Sequence, residues 1–176
     1  YYLVHLLMDG LDAVSSRIKE KSAAVQMMED MKDETAQILS VKKEKKKVQP
    51  PKLYDLTTLQ REANRLLGFT AQQTLDYTQS LYEKKLVTYP RTDSQYLTDD
   101  MDENALLVVG AVNSMFPEMS IKGSEPDIKR LLNSKKVSDH HAIIPTVEIT
   151  NMDLKALPGG EKEILMLIAS KLLCAS

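Results

Sequence analysis

Residues 57–83, TTLQREANRLLGFTAQQTLDYTQSLYE, decide the fold because they predict two consecutive helices. Thr57–Gln60 and Thr70–Gln73 have the residue spacing of capping boxes, in which two side chains satisfy the first free backbone N–H groups of a helix. Apolar residues recur at helical spacing after each box, and Gly68 is a typical residue for ending the first helix. The stretch therefore predicts a helix-turn-helix-like unit, but an ordinary helical hairpin would show the same pattern.

The residues that follow this pair predict more helix and little strand. Leu86–Arg91 is rich in β-forming residues until Pro90 interrupts it, and residues 137–147 are expected to be extended or looped. Three helices are predicted from their start signals and composition: Asp99–Ser114 after a Thr98 cap, Asp127–Leu132 after Pro126, and Gly160–Ser176.

The residues before the pair predict a separate, mixed segment. Its expected elements are a strand over Tyr2–Leu7, a hairpin turn at Asp9-Gly10, a return strand over Leu11–Ile18, a helix over Ser22–Glu34 and a strand over Ile38–Val41. The lysine-rich run at 42–47 is better explained as a solvated strand end than as a phosphate-binding track. Pro50-Pro51 marks the boundary. The sequence thus predicts an α+β fold, mainly α, with domains at 1–50 and 51–176.

Composition excludes several classes of protein. The chain has 176 residues and a net charge of −2, which excludes binding of nucleic acid through an overall positive charge. It has one cysteine, which excludes a disulfide framework and a cysteine-based zinc site. No apolar stretch approaches the roughly 20 residues that a membrane span needs. The chain does not begin with Met, which favours a segment of a longer protein, and an intracellular, reducing compartment is expected.

Tyr89 and Arg91 are the first candidates for chemistry. Residues i and i+2 of an extended segment point to the same side, so a phenol and a guanidinium are expected to share one face. A fixed cation favours the phenolate, and a guanidinium can hold a phosphate through two hydrogen bonds. The pair suits covalent attack on a phosphodiester. A packed tyrosine beside a surface arginine is the alternative.

His140 and His141 are the second candidates, because an imidazole can donate to a phosphate or act as a general acid. A structural histidine in a loop is the alternative, and adjacent histidines are expected to point in different directions. Zinc binding is not expected, since the chain has one cysteine and only His5 besides these two. The acids clustered over 99–103 are better explained as the solvated first turn of a helix than as a magnesium site.

Several motifs in order resemble those of the type IA DNA topoisomerases. Leu86–Ser94, LVTYPRTDS, resembles the active-site signature, and the proline after its tyrosine is most similar to the topoisomerase III branch. The other matching stretches are Pro50–Gln60 at the entry to the tyrosine-bearing domain, Ala71–Glu83 before the tyrosine, and Asp139–Thr146 at the histidine motif.

The resemblance implies a function and a set of site residues. Tyr89 would attack one DNA strand and form a transient 5′-phosphotyrosyl link that allows strand passage and religation, while Arg91 positions the scissile phosphate. His140, His141, Thr92 and Ser94 would contact DNA. The implied fold is a winged-helix-like tyrosine domain beside a fragment of a β-rich gate domain.

The resemblance also implies partners outside the chain. The family binds Mg²⁺ on a Toprim domain that is not visible here, so this segment would hold no metal and would be inactive alone. Its partners would be single-stranded DNA and the remaining Toprim and archway domains, in the bacterial cytoplasm with the nucleoid. The alternative function is a non-enzymatic helix-turn-helix nucleic-acid-binding module, although Ala71–Glu83 is not basic as a recognition helix would be.

Overall fold

The computed structural model describes residues 1–119 and 125–176, which form two compact units, Tyr1–Lys47 and Val48–Ser176. The boundary expected at Pro50-Pro51 lies close to this division. Within the described residues, no helix is both long and apolar enough to cross a membrane. The fold is mainly helical with one small two-stranded sheet, as the sequence predicts at this level.

The first unit contains a hairpin and a helix. Strands β1 (His5–Met8) and β2 (Leu11–Val14) pair antiparallel, with His5 opposite Val14 and Met8 opposite Leu11. Gly10 takes a φ of 75° in the two-residue turn, a conformation that glycine adopts without a steric penalty. The hairpin prediction is therefore confirmed, with shorter strands, and α1 covers Lys21–Asp30 rather than extending to Glu34.

The strand predicted over Ile38–Val41 is wrong. Residues 35–50 form no regular element, and the side chains of Ile38, Leu39 and Val41 are 69%, 90% and 76% exposed. A β-prone run becomes a strand only when a neighbouring strand pairs with it, and no described strand does so here.

The second unit begins with the helix pair that the sequence predicts. Helices α2 (Leu56–Leu67) and α3 (Ala71–Glu83) are joined through Gly68, whose φ of 72° ends α2. The Thr70–Gln73 capping box is confirmed, with Gln73 N donating to Thr70 Oγ1 at 3.1 Å. The box at Thr57–Gln60 is wrong, because the Asp55 carboxylate caps the helix by accepting from Thr58 N at 2.6 Å.

Two other predicted helices are wholly or partly 3₁₀ turns. Asp99–Met101 is a 3₁₀ turn that leads into α4 (Asp102–Met115), and the Thr98 side chain makes no capping hydrogen bond. Instead Ser134 Oγ accepts from Asp99 N at 2.8 Å, a tertiary contact that sequence spacing does not reveal. The helix predicted over Asp127–Leu132 is only a 3₁₀ turn. Further 3₁₀ turns cover Pro117–Met119, Ser134–Lys136, Val147–Asn151 and Leu154–Ala156.

Helix α5 (Gly159–Ala175) lies at the centre of the second unit and packs against α2, α3 and α4. Its apolar residues Ile164, Leu165, Ile168 and Leu172 are buried, and each contributes about 1.5–3 kcal/mol through the hydrophobic effect. Close packing requires Gly160, because a Cβ there would lie 2.5 Å from the Tyr77 ring of α3.

Two ion pairs tie α5 to its neighbours. Buried Glu161 accepts from Lys84 Nζ and from Ser80 Oγ, which joins α5 to the end of α3. Lys171 Nζ donates to Glu62 Oε2 at 2.8 Å and joins α5 to α2. Burial works against ionisation of Glu62, but the hydrogen bond and charge of Lys171 hold the pKa of this carboxyl below its usual value.

Candidate active site

Two extended segments of the second unit place the candidate tyrosine beside the candidate histidines. Val87 forms an antiparallel bridge with Pro145, and Thr88 N donates to Ile144 O at 2.9 Å. The Thr88 hydroxyl donates to Ala142 O and accepts from Ile144 N, each at 3.0 Å. This pairing brings residues far apart in sequence into one site.

Tyr89 is half-buried and packs against two aromatic rings. Its ring centroid lies 4.3 Å from that of His140, with the planes tilted by 45°, and 5.4 Å from that of Tyr82 in an edge-to-face arrangement. Such contacts stabilise an aromatic ring in one orientation. The phenol is therefore held in a defined position without being sealed in the core.

A cleft of about 540 Å³ opens beside this ring, and we call it the Tyr89 cleft. Its lining comprises Tyr82, Glu83, Lys85, Val87, Thr88, Tyr89, His141 and Thr146. His141 Nδ1 donates to Ala142 O at 2.9 Å, so the ring orientation of this histidine is fixed. A ligand in this cleft would meet two phenols, an imidazole, an ammonium group and the carboxylate of Glu83.

Arg91 lies in a different cleft, because the chain bends at Pro90 and Arg91. The i, i+2 relation holds only for an extended segment, and of the clefts formed by the described residues the phenol lines one and the guanidinium another. The second cleft, of about 430 Å³, is the Arg91 cleft. It is lined by Asp55, Leu56, Thr57, Arg91, Thr92, Asp93, Ser138, Asp139 and His140.

The guanidinium of Arg91 is exposed and belongs to none of the ion pairs of the described residues. Two nearby carboxylates are already engaged: Asp55 accepts from Gln95 Nε2 at 3.0 Å as well as capping α2, and Asp93 accepts from Ser138 Oγ at 3.0 Å. Arg91 can therefore bind an incoming anion without first breaking an ion pair.

His140 connects the two clefts. It lines the Arg91 cleft, its ring packs on Tyr89, and its carbonyl accepts from Thr92 Oγ1 at 2.8 Å. His141, its neighbour, lines the Tyr89 cleft instead. The two histidines thus serve different clefts, as their adjacency in an irregular segment predicts.

Thr92 and Ser94 are buried, 8% and 3% exposed, and their hydroxyls bind backbone groups. Besides its bond to His140 O, Thr92 Oγ1 accepts from Ser94 N at 3.1 Å. Ser94 Oγ donates to Lys136 O at 2.9 Å. Thr92 lines the Arg91 cleft, whereas Ser94 is not among its lining residues. Their hydrogen bonds brace the loop that carries Arg91.

Sequence patterns do not single out Tyr96, which follows on the same loop. Lys136 Nζ lies 3.4 Å from its hydroxyl, and Lys52 Nζ lies 5.4 Å from its ring centroid. The hydrogen bond from Lys136, assisted by Lys52, lowers the pKa of the Tyr96 phenol. The three residues are distant in sequence, so no local motif could have identified the cluster.

The described residues contain no group of three or more His, Cys, Asp or Glu side chains arranged to hold a metal ion. The acids at Asp99, Asp100, Asp102 and Glu103 lie in the 3₁₀ turn and the first turn of α4. The two clefts together present two phenols, two imidazoles and two separate cations, Lys85 and Arg91.

Comparisons with known proteins relate this chain to one family. A protein-family model described as DNA topoisomerase matches residues 4–176. A DNA topoisomerase 3 of Bacillus licheniformis is 37% identical over 192 residues, covering 98% of this chain and 25% of the relative. A DNA topoisomerase 3 of Shouchella clausii is 38% identical over 163 residues, covering 89% and 22%.

A solved structure shares the fold. Full-length topoisomerase I from Thermotoga maritima superposes with a TM-score of 0.64 at 26% identity, over 98% of this chain and 28% of that one. The chain spans about a quarter of the length of the curated relatives it matches. These matches confirm the resemblance that the sequence motifs indicate.

Proposed function

The chain belongs to the type IA DNA topoisomerase family, and from that membership we propose that it carries the nucleophile of a strand-cleavage and religation reaction. The observation that carries this proposal is the position of Tyr89, half-buried against His140 and open to a cleft that also contains His141. The substrate is one strand of DNA, and the parent protein is an isomerase that changes DNA topology.

The phenolic oxygen of Tyr89 attacks a backbone phosphorus. A bond forms between the phenolic oxygen and phosphorus, and the bond from phosphorus to O3′ breaks. The phenol gives up its proton to solvent and O3′ takes one from solvent, so O3′ leaves as the free 3′ hydroxyl. The strand end stays on the protein as a 5′-phosphotyrosyl link, and reversal of the step rejoins the strand.

Arg91 and His140 support this step from the far side of the bend. Arg91 is a cation free to bind a phosphate oxygen, and charge on the phosphorane-like transition state increases the value of that contact. His140 touches the Tyr89 ring and lines the Arg91 cleft, so it can donate to the same phosphate. Thr92 and Ser94 act as positioning residues, because their hydroxyls are bound to backbone groups.

The family implies Mg²⁺, but the described residues do not fit such a site, since they hold no cluster of metal-binding side chains. Further domains of the parent, with Toprim and archway folds, are proposed to supply the metal and to close around the strand in the bacterial cytoplasm.

Helices α2 and α3 are proposed to form the helix-turn-helix of a winged-helix-like domain that presents the tyrosine. The non-enzymatic module has no comparable support. Lys84, a cation at the end of α3, is paired with Glu161 of α5 rather than directed at DNA. Glu83, in the last turn of the same helix, adds a negative charge.

A chimera tests the function. This chain replaces the matching quarter of the Bacillus licheniformis DNA topoisomerase 3, and the purified protein is incubated with single-stranded DNA labelled on either side of the break. We expect a covalent adduct that carries the 5′-phosphate side of the break. Tyr89→Phe should abolish it while oligonucleotide affinity stays within about threefold, because only the attacking oxygen is lost. An undiminished adduct in Tyr89→Phe would refute the proposal.

A further inference from the structure

Lys85 has an unusual backbone conformation. It follows α3 with a φ of 62°, in the left-handed region that side chains with a Cβ seldom adopt. Leu86 N donates to Leu81 O at 2.9 Å and Lys85 N to Tyr82 O at 2.8 Å. These are the two hydrogen bonds of a Schellman motif, whose left-handed position is usually glycine. A lysine at this position is strained, and such strain often accompanies function.

The position of the side chain suggests a function that glycine could not perform at this site. Lys85 lines the Tyr89 cleft and also a neighbouring cleft of about 330 Å³ that contains His141 and Glu148. Its carbonyl accepts from Thr146 Oγ1 at 2.5 Å, so the backbone is fixed on both sides of the residue. The structure thus fixes the backbone of a lysine that lines the Tyr89 cleft together with Tyr89 itself.

The ammonium group of Lys85 is available for a ligand. Within the described residues Lys85 belongs to no ion pair, whereas the adjacent Lys84 is bound to Glu161. The nearby carboxylates have other donors: Glu83 accepts from Gln79 Nε2 at 3.0 Å, and Glu148 accepts from Asn151 Nδ2 at 3.1 Å.

We propose that Lys85 is a further phosphate-binding residue, which holds a backbone phosphate of the single strand inside the Tyr89 cleft. Arg91 lies in the other cleft, so a strand crossing Tyr89 needs a second cation on the Tyr89 side, and Lys85 is the lysine that lines it. The inference rests on the proposed function and adds to it a contact on the opposite side of the bend from Arg91.

Three substitutions separate the charge from the backbone strain. Lys85→Ala removes the ammonium group but keeps the strain, Lys85→Gly removes both, and Lys85→Arg keeps the charge. Lys155→Ala, at an exposed lysine outside both clefts, is the matched control for loss of one positive charge. Each variant is titrated with a fluorescent single-stranded oligothymidine at several salt concentrations, and its thermal unfolding is followed by circular dichroism.

We expect Lys85→Ala and Lys85→Gly to lose affinity equally, and the slope of log K against log salt concentration to fall by about 0.7, which corresponds to one phosphate contact on a single strand. Lys85→Arg and Lys155→Ala should keep the wild-type slope. Lys85→Gly should nevertheless unfold at a higher temperature than Lys85→Ala, because glycine relieves the strain. Lys85→Gly and Lys85→Ala would then differ in stability but not in affinity. Equal losses of affinity in two variants of different stability cannot result from damage to the fold.

An unchanged slope in Lys85→Ala, with binding still weakened by Arg91→Ala, would overturn this inference and leave the proposed function standing. An equal fall in slope for Lys155→Ala would also overturn it, since the effect would then reflect net charge alone. Should the isolated chain not bind the oligonucleotide, the same titrations are made in the chimera, and failure to bind there would overturn the proposed function and this contact with it.

Discussion

The Tyr89 cleft and the Arg91 cleft lie on either side of one bend in the chain, yet their linings differ. The first combines two tyrosines and His141 with Lys85 and one carboxylate, Glu83, and the second contains Arg91 together with three carboxylates, Asp55, Asp93 and Asp139. Carboxylates repel a phosphate, and in the second cleft two of the three are already held by Gln95 and Ser138. We propose a division of tasks, in which the first cleft presents the nucleophile beside Lys85 and the second presents Arg91.

Substitution of Arg91 is expected to have the largest effect on the reaction. In the chimera, Arg91→Ala should lower the rate of covalent adduct formation by about 100-fold or more, because removing one group that stabilises transition-state charge has this order of effect. The measurement is the initial rate of adduct formation at saturating oligonucleotide. Arg65→Ala, at an exposed arginine of α2, is the control and should stay near the wild-type rate. Equal losses in both variants would mean that Arg91 has no special role.

Substitution of Thr92 tests the hydrogen bonds that join the loop of Arg91 to the backbone of His140. Thr92→Val removes the hydroxyl that binds His140 O and Ser94 N, and it leaves buried groups unpaired. We expect a loss of about 1–3 kcal/mol in the free energy of unfolding, measured by urea denaturation of the chain. Thr92→Ser keeps the hydroxyl and should retain most of the stability. A Thr92→Val protein as stable as wild type would show that this hydrogen bond does not brace the loop.

His140 should have a smaller effect on the reaction than Arg91. His140→Ala removes both the ring that packs on Tyr89 and the proposed hydrogen-bond donor to phosphate, so adduct formation should slow by about tenfold. His140→Phe preserves the aromatic contact without the donor. Recovery of the full rate in His140→Phe would assign the residue to packing alone, and a persistent loss would support phosphate contact.

Tyr96 is a contrasting case, because its substitution should leave the rate of adduct formation almost unchanged. Its phenol is next to Lys136 and has a lowered pKa, so it is the alternative candidate nucleophile, although it lines neither cleft. Tyr96→Phe should leave the adduct rate within about twofold. In the isolated chain, Lys136→Ala should raise the pKa of Tyr96, measured by ultraviolet titration against the Tyr96→Phe protein. Loss of the adduct in Tyr96→Phe would contradict the assignment of Tyr89 as the nucleophile.

Local signals in the sequence predict the helices and the hairpin well. Asp9-Gly10, the Thr70–Gln73 box and Gly68 act through contacts within a few residues, so a short stretch contains all the necessary information. The strand expected over Ile38–Val41 needs a partner strand, and the cap expected at Thr98 is replaced by Ser134. Both depend on residues distant in sequence.

The same distinction holds for the site. The motif around Tyr89 identifies the residues, but the bend at Pro90 divides them between two clefts. The left-handed conformation of Lys85 leaves no signal in the sequence, because a lysine after a helix is ordinary in composition. The position of Tyr89 beside the histidines depends on the pairing of Val87 with Pro145, which no local pattern reveals.

Mapping the covalent adduct by mass spectrometry tests the central claim most directly. The chimera is trapped on single-stranded DNA, digested with protease and nuclease, and the modified peptide is sequenced. A residual nucleotide linked through its 5′ phosphate to Tyr89 is the predicted result. A link to Tyr82, Tyr96 or any other side chain, or a link through a 3′ phosphate, would contradict the account.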